Sequence, residues 1–209
     1  MNKRDYQKEL DGIIKENGIS GTRPSLLLHV CCAPCSSYCM EYLTEHFDIT
    51  LLFYNPNMDS SDEYEKRKGE LLRLVKEASF PVKVKTLSFE PEEFLCAVKG
   101  LEDVPEGGSR CFVCYELRLR RTAQLAAENG FDYFTTTLSI SPLKNAEKIN
   151  EIGERLGKEY GVKHLPSDFK KRNGYKRSIE LSREYDLYRQ DYCGCVYSKK
   201  EREKRRTDN

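Results

Sequence analysis

Apolar residues along the chain fall into two kinds of stretch, short unbroken runs and longer segments with helical spacing, and the two alternate. Ser25–Cys31 and Ile49–Tyr54 are runs of strand length, apolar enough to be buried on both faces. Val82–Leu87, Asp132–Leu138 (aromatics alternating with threonines) and Val162–Leu165 read as three more strands. Helices are predicted between them. Asp5–Asn17 places Leu10, Ile13 and Ile14 on one face and stops at Gly18. Pro34 and Ser36–Ser37 open a helix that runs to about His46. Ser60–Ala78, Pro91–Lys99, Arg110–Asn129 (stopped by Gly130) and Ala146–Tyr160 (Ile149, Ile152 and Leu156 on one face) complete the series. Asn55-Pro56-Asn57 ends the second strand with turn chemistry, and Pro105–Ser109 is a glycine-containing loop. From Asp168 the chain becomes polar and aromatic, with Ile179–Tyr185 helical and the basic tail Lys199–Asn209 expected to fray.

This alternation predicts an α/β fold, a mostly parallel, Rossmann-like sheet with helices on both faces and a polar helical extension at its C-terminal end. One domain over residues 1–209 is expected, with the N-terminal helix (1–20) and the tail (199–209) peripheral. Ligands of such sheets sit beyond the carboxyl ends of the strands. That rule puts Cys31–Cys35, Asn55–Asn57 and the segment after Leu138 on one rim.

Composition narrows the functional class. Lys and Arg number 35 against 34 Asp and Glu, a formal charge of +1, so any nucleic-acid surface must be local rather than global. No apolar run approaches the ~20 residues of a membrane span, and MNKRDYQKEL lacks the apolar core of a signal peptide. A soluble cytoplasmic protein with no membrane partner is expected. Nine cysteines, an odd number, then point to metal or redox chemistry over a disulfide framework.

Seven of those cysteines form three groups: Cys31, Cys32 and Cys35; Cys111 and Cys114; Cys193 and Cys195. The first runs from a strand end into a helix start, where amides and the helix dipole favour the thiolate that metals bind. The second, Cys-X-X-Cys at a helix start, suits zinc, an iron–sulfur cluster or dithiol chemistry, with Arg110, Arg118, Arg120 and Arg121 nearby to offset anionic charge. Together the two groups supply enough sulfur for a four-cysteine site. Gly194 between Cys193 and Cys195 permits either a reducible disulfide or a pair of metal ligands. Cys39 and Cys96 read as packing residues.

Asp168–Arg177 holds five basic residues, Lys170, Lys171, Arg172, Lys176 and Arg177, against one acidic. Tyr175, Tyr185, Tyr188, Tyr192 and Tyr197 interleave with Arg177, Arg183 and Arg189, the mix of cations and ring planes that single-stranded RNA recognition uses. A solvated charged face has the same composition; adjacency to Cys193 and Cys195 favours the RNA surface. His29, His46 and His164 lack metal-ligand spacing, and His29 reads as a group supporting the cysteines or as a satisfied core histidine. No glycine-rich phosphate loop is present, and Leu138–Asn145 suits a helix cap or an anion site.

The chain carries, in order, HVCCAPC, YNPN, SRCFVCYELRLRRTA, FTTTLSISPLKN, DFKKRNGYKRS and YRQDYCGCVYS, spanning about residues 25–198. In these motifs it resembles the QueH family of cobalamin-independent epoxyqueuosine reductases. The resemblance implies reduction of epoxyqueuosine to queuosine at the wobble position of a tRNA anticodon, with an external electron donor. It implies a 4Fe-4S cluster on Cys31, Cys32, Cys111 and Cys114, a redox-active pair at Cys193 and Cys195, and a second, mononuclear iron near Cys35. Epoxide deoxygenation needs two electrons and protons, so a metal near Cys35 would act as Lewis acid on the oxygen, with Tyr188 or Tyr192 as proton donor. The competing expectations are a zinc-stabilised RNA-binding protein, an ATP-dependent tRNA-thiolating enzyme of the ATP-pyrophosphatase (HUP-type) layout, and a dithiol oxidoreductase.

Overall fold

The computed structural model describes residues 4–207; positions 1–3 and 208–209, which include the ends of the expected peripheral segments, lie outside the described residues. Five strands, β1 (Ser25–Val30), β2 (Asp48–Phe53), β3 (Val82–Thr86), β4 (Tyr133–Thr136) and β5 (Lys163–His164), form one sheet in the order β3-β2-β1-β4-β5. Every pairing is parallel, so the sheet is wholly rather than mostly parallel. The helices are α1 (Tyr6–Ser20), α2 (Ala33–Leu43), α3 (Ser61–Glu77), α4 (Pro91–Ala97), α5 (Ser109–Glu128), α6 (Ala146–Tyr160), α7 (Gly174–Glu184) and α8 (Val196–Thr207).

Successive side chains of a strand point to opposite faces, and β1 shows the consequence. Leu26, Leu28 and Val30 join one core with Leu10 of α1, Met40 and Leu43 of α2, and Leu71 and Leu74 of α3. Leu27 joins the other with Tyr115 and Leu119 of α5 and Ile149 and Leu156 of α6. Helices therefore cover both faces, as the alternation of runs predicted. Each fully buried aliphatic side chain contributes roughly 1.5–3 kcal/mol, which makes the doubly covered β1 the anchor of the sheet.

Several boundaries move for local reasons. Helix α1 passes Gly18 and is closed by Gly21, whose φ of 65° supplies the left-handed C-cap. Strand β4 ends at Thr136 because Thr137–Ile140 winds into a 3-10 turn, with the Thr136 hydroxyl accepting from the Leu138 N–H. Helix α7 begins at Gly174, earlier than expected, where a Cβ would collide with the Phe169 carbonyl and the Tyr38 ring. The tail expected to fray is helix α8 as far as Thr207. Arg110 and the backbone N–H of Glu106 hold its Glu201, and Asp191 pairs with its Arg202 and Arg206.

The strand order reverses direction between β1 and β4, which opens a crevice beyond their carboxyl ends. The Cys31–Cys35 segment begins there.

Candidate metal centre

Cys31 is the first residue beyond β1, and Cys32 is the N-cap of α2, with Pro34 in the first turn and Cys35 after it. The sulfurs of Cys31, Cys32 and Cys35 lie within 4.8 Å of one another, and Cys31 and Cys32 are 3.7 Å apart. Cys32 accepts hydrogen bonds from Cys31 and Cys35 and faces Arg67, so its pKa lies well below the ordinary thiol value despite burial. Donating to Cys32 raises Cys31, although accepting from Cys35 works the other way, and donating to both neighbours raises Cys35 strongly. Of the three, Cys32 is the one favoured as a thiolate, and it sits at a helix N-terminus, where the dipole stabilises negative charge.

His29 lies under the trio and is fully buried. Nδ1 sits 2.8 Å from the Thr136 hydroxyl and Nε2 3.0 Å from the Tyr54 carbonyl, so the ring donates from Nε2 and accepts at Nδ1. Burial and then the charge of Arg118 lower its pKa to about 4. It is a satisfied core histidine tying β1 to both neighbouring strands. Asn55 completes the floor by donating to the Val30 carbonyl at 3.0 Å.

Cys111 and Cys114 lie in the first turns of α5. Cys111 belongs to the apolar cluster against which Cys31 packs, and its sulfur accepts the Gly107 N–H at 3.2 Å. Burial pushes the Cys114 thiol up to about 12. The same turn faces Cys193 and Cys195: all four cysteines line one small cavity of about 10 Å³, the size of a single water. A larger cavity of about 200 Å³ adjoins it, lined by Cys31, Cys35, Tyr175, Arg189, Tyr192 and Cys193 among others. Glu106, Arg118, Lys144 and Cys193 stand in the walls of both.

The Cys193–Cys195 segment is strapped to the rim by polar contacts. The Asp59 N–H donates to the Gly194 carbonyl at 2.8 Å, and Arg67 Nη1 donates to the Cys193 carbonyl at 3.2 Å. Tyr192 donates to Asp59 Oδ1 at 3.0 Å and Lys199 to Oδ2 at 2.6 Å. Arg67 is 1% exposed, pairs with Glu63 at 2.6 Å and lies under the Tyr192 ring. Gly194, at φ 120°, adopts a backbone that side chains avoid, and its Cβ position would crowd the Arg67 guanidinium.

Arg118 was noted in the sequence only as one of several nearby arginines. It is 1% exposed, and no carboxylate pairs with it among the described residues. Its Nη2 donates to Cys114 Sγ at 3.3 Å and its Nε to the Cys114 carbonyl at 3.2 Å. Burial disfavours its charge, yet Cys114, Cys193 and Cys31 outweigh that and raise its pKa. A guanidinium this buried needs anionic partners, and here they are sulfur. Arg67 and Lys144 are two further buried cations that sequence reading missed, because a charged residue bound for the interior looks like a surface one.

The other expected site residues are more dispersed. Tyr175 (37% exposed) and Arg189 face the larger cavity, with Leu143 (69% exposed) on its rim. Lys170 pairs with Asp168, Lys171 with Asp5, Arg172 with Asp11 and Arg177 with Glu41, while Lys176 is exposed. Tyr188 points its hydroxyl at Glu63 and is capped by Lys66, whereas Tyr192 lines the cavity. Cys39 packs in the core as expected, but Cys96 is exposed on α4 rather than packed.

The donor set suits an iron–sulfur centre. It is thiol-only at its heart, it receives N–H donors on sulfur, and buried cations offset anionic charge. The Asn57 carbonyl oxygen and the Tyr115 hydroxyl are buried beside the small cavity without hydrogen-bond partners. No helix of the described residues is long and apolar enough to cross a membrane.

Comparison with known proteins gives the chain a family. The family model described as "Epoxyqueuosine reductase QueH" matches residues 26–201. A protein of that name from Streptococcus pyogenes is 48% identical over 202 residues, covering 95% of this chain and 79% of the relative. One from Staphylococcus epidermidis is 45% identical, covering 94% and 85%, and one from Thermotoga maritima 39%, covering 88% and 95%. Among solved structures, an NMN synthetase from Francisella tularensis aligns over 88% of this chain and 96% of its own, with 11% identity and a TM-score of 0.42.

Proposed function

Because the chain belongs to the epoxyqueuosine reductase QueH family, an oxidoreductase family of tRNA queuosine biosynthesis, we propose that it reduces epoxyqueuosine to queuosine in the anticodon wobble position of tRNA in the cytoplasm. The observation that carries this reading is a pair of adjoining cavities that share Arg118 and Cys193, one lined by Cys31 and Cys35 and the other by Cys111, Cys114 and Cys195, with no carboxylate paired to that buried arginine among the described residues.

Cys31, Cys32, Cys111 and Cys114 would hold a 4Fe-4S cluster, and Cys35 would contribute to a neighbouring iron. Those centres would supply electrons one at a time and a Lewis acid for the epoxide oxygen. Converting an epoxide to an alkene consumes two electrons and two protons and releases water. Oxidising Cys193 and Cys195 from two thiols to one disulfide releases the same two electrons and two protons, and an external donor would restore the thiols. Tyr192, in the cavity wall, would hold a proton near the substrate, and Arg189 and Tyr175, which line the same cavity, would offer a cation and a ring plane to the RNA. Arg118 keeps the anionic sulfurs together in the interior.

Anaerobic purification with iron and sulfide counted per chain tests the cofactor. Brown protein with both elements is expected; colourless, zinc-loaded protein would favour a structural zinc site, which the Cys31–Cys32–Cys35 trio could also form. Mass spectrometry of tRNA digests from a strain lacking the protein tests the substrate. Accumulation of epoxyqueuosine, cleared by restoring the gene but not its Cys111→Ser form, is expected, and normal queuosine in the deletion strain refutes the assignment.

A further inference from the structure

We propose that Lys144 is the charge partner of Cys193 and makes it, rather than Cys195, the reactive thiol of the pair. The inference rests on Cys193 and Cys195 acting as a redox dithiol. Lys144 belongs to the segment that suited either a helix cap or an anion site. The structure divides those tasks between neighbours: Asn145 accepts the Lys148 N–H at 3.0 Å and caps α6, while Lys144 turns inward and is only 8% exposed. Its Nζ lies 2.9 Å from Cys193 Sγ and 3.1 Å from Glu106 Oε1, in the wall common to both cavities.

A buried ammonium requires negative charge beside it, and Glu106 and the Cys193 sulfur are what it touches. Burial works against the charged form of Lys144, but Cys193, Tyr115 and Glu106 prevail and hold its pKa well above the usual lysine value. Lys144 therefore sets a buried positive charge in hydrogen-bond contact with the Cys193 sulfur.

The two thiols are not equivalent. Cys193 is partly exposed and lines the larger cavity, where a substrate would enter. Cys195 is 7% exposed, its sulfur accepts the Ser198 N–H and donates to the Ser198 hydroxyl, both at 3.4 Å, and it does not line that cavity. Burial, then the charge of Cys193, raises its pKa. Besides Lys144 and Glu106, the groups facing Cys193 are Cys114, Tyr115 and Arg118 of α5 and Cys195 itself. Arg67 of α3 fixes its carbonyl. A negative sulfur at 193 has an ammonium in contact; at 195 it has a hydroxyl and an amide.

The test is timed iodoacetamide labelling of the anaerobic, cofactor-loaded protein with the donor-reduced pair, read by peptide mass spectrometry. Cys193 is expected to react ahead of Cys195. Lys144→Met should slow Cys193 labelling at pH 7 about tenfold, because the attacking sulfur loses the ammonium in contact with it, and should change the rate–pH profile. Lys144→Arg should retain most of the rate. Glu106→Gln, which leaves the ammonium to sulfur alone, should speed labelling and gives a second reading should the methionine variant lose its fold or iron. Unchanged Cys193 rates and profiles in the folded variants, or Cys195 reacting first, would overturn the proposal. Turnover at the parent rate by Cys193→Ser would instead sink the dithiol reading, and the inference with it.

Discussion

Removing the Asp59 carboxylate should release the Cys193–Cys195 segment while leaving the sheet intact. In Asp59→Ala, Tyr192 loses a charge-assisted hydrogen bond of 3.0 Å, a contact that contributes about 1.5–3 kcal/mol. Lys199 loses an ion pair whose lysine is half exposed, which adds at most about 1 kcal/mol. The backbone bond from Asp59 to Gly194 and the grip of Arg67 on Cys193 survive, so the segment weakens without detaching. A local loss of about 2–3 kcal/mol corresponds to roughly 30- to 150-fold faster opening-limited amide exchange. Hydrogen exchange read by mass spectrometry on peptides spanning residues 190–200 measures it, with α6 as the internal control. Turnover should fall in the same variant because Cys193 is no longer held at the cavity wall. Unchanged protection in that peptide would refute the latch, and so would equal loss in α6, which would make Asp59 a determinant of global stability.

Other predictions concern the core and the thiol trio. Burial, then Arg4, lowers His164 to a pKa of about 3 from 6.5, so the folded state keeps the ring neutral while the unfolded chain takes a proton below pH 6.5. Stability should thus be complete above that value and fall as pH drops towards 3, by about 2 kcal/mol at pH 5; His164→Leu should flatten the urea-melt pH profile by that amount, and parallel profiles would disprove it. Gly153→Ala should lower the melting temperature, since the new methyl overlaps the His164 ring and overpacking costs about 1–3 kcal/mol, whereas Gly12→Ala on open α1 surface should raise it; equal shifts would contradict the packing. Cys35→Ala should retain cluster absorbance and lose turnover, and full activity would remove Cys35 from the mechanism.

Much of this architecture is legible because it rests on local pattern. The apolar runs at Ser25 and Ile49 can only be buried strands, and Ala146–Tyr160 was readable to the residue from its apolar face and the following glycine. The tail was not, because α8 is polar all round and shows no apolar stripe for periodicity to detect; Arg110 and Asp191 hold it from outside. Within the site, adjacency along the chain made Cys31, Cys32 and Cys35 an obvious group. Placing Cys111 and Cys114 against Cys193 and Cys195 depends on how α5 meets the tail, which no local pattern encodes. Arg67, Arg118 and Lys144 stayed hidden for a related reason: their significance comes from where they are buried, and their neighbours in sequence are ordinary charged residues.

The strap over the rim differs in kind from the sheet beneath it. Strands β1 and β2 are held by two large apolar cores, whereas residues 192–199 have only the small cluster of Cys195 with Phe94, Val98 and Cys114 besides their hydrogen bonds and ion pairs to Asp59 and Arg67. Such a segment lifts at a fraction of the cost of melting the domain. Lifting it would bare Cys193 and the wall of the cavity while the sheet stays folded.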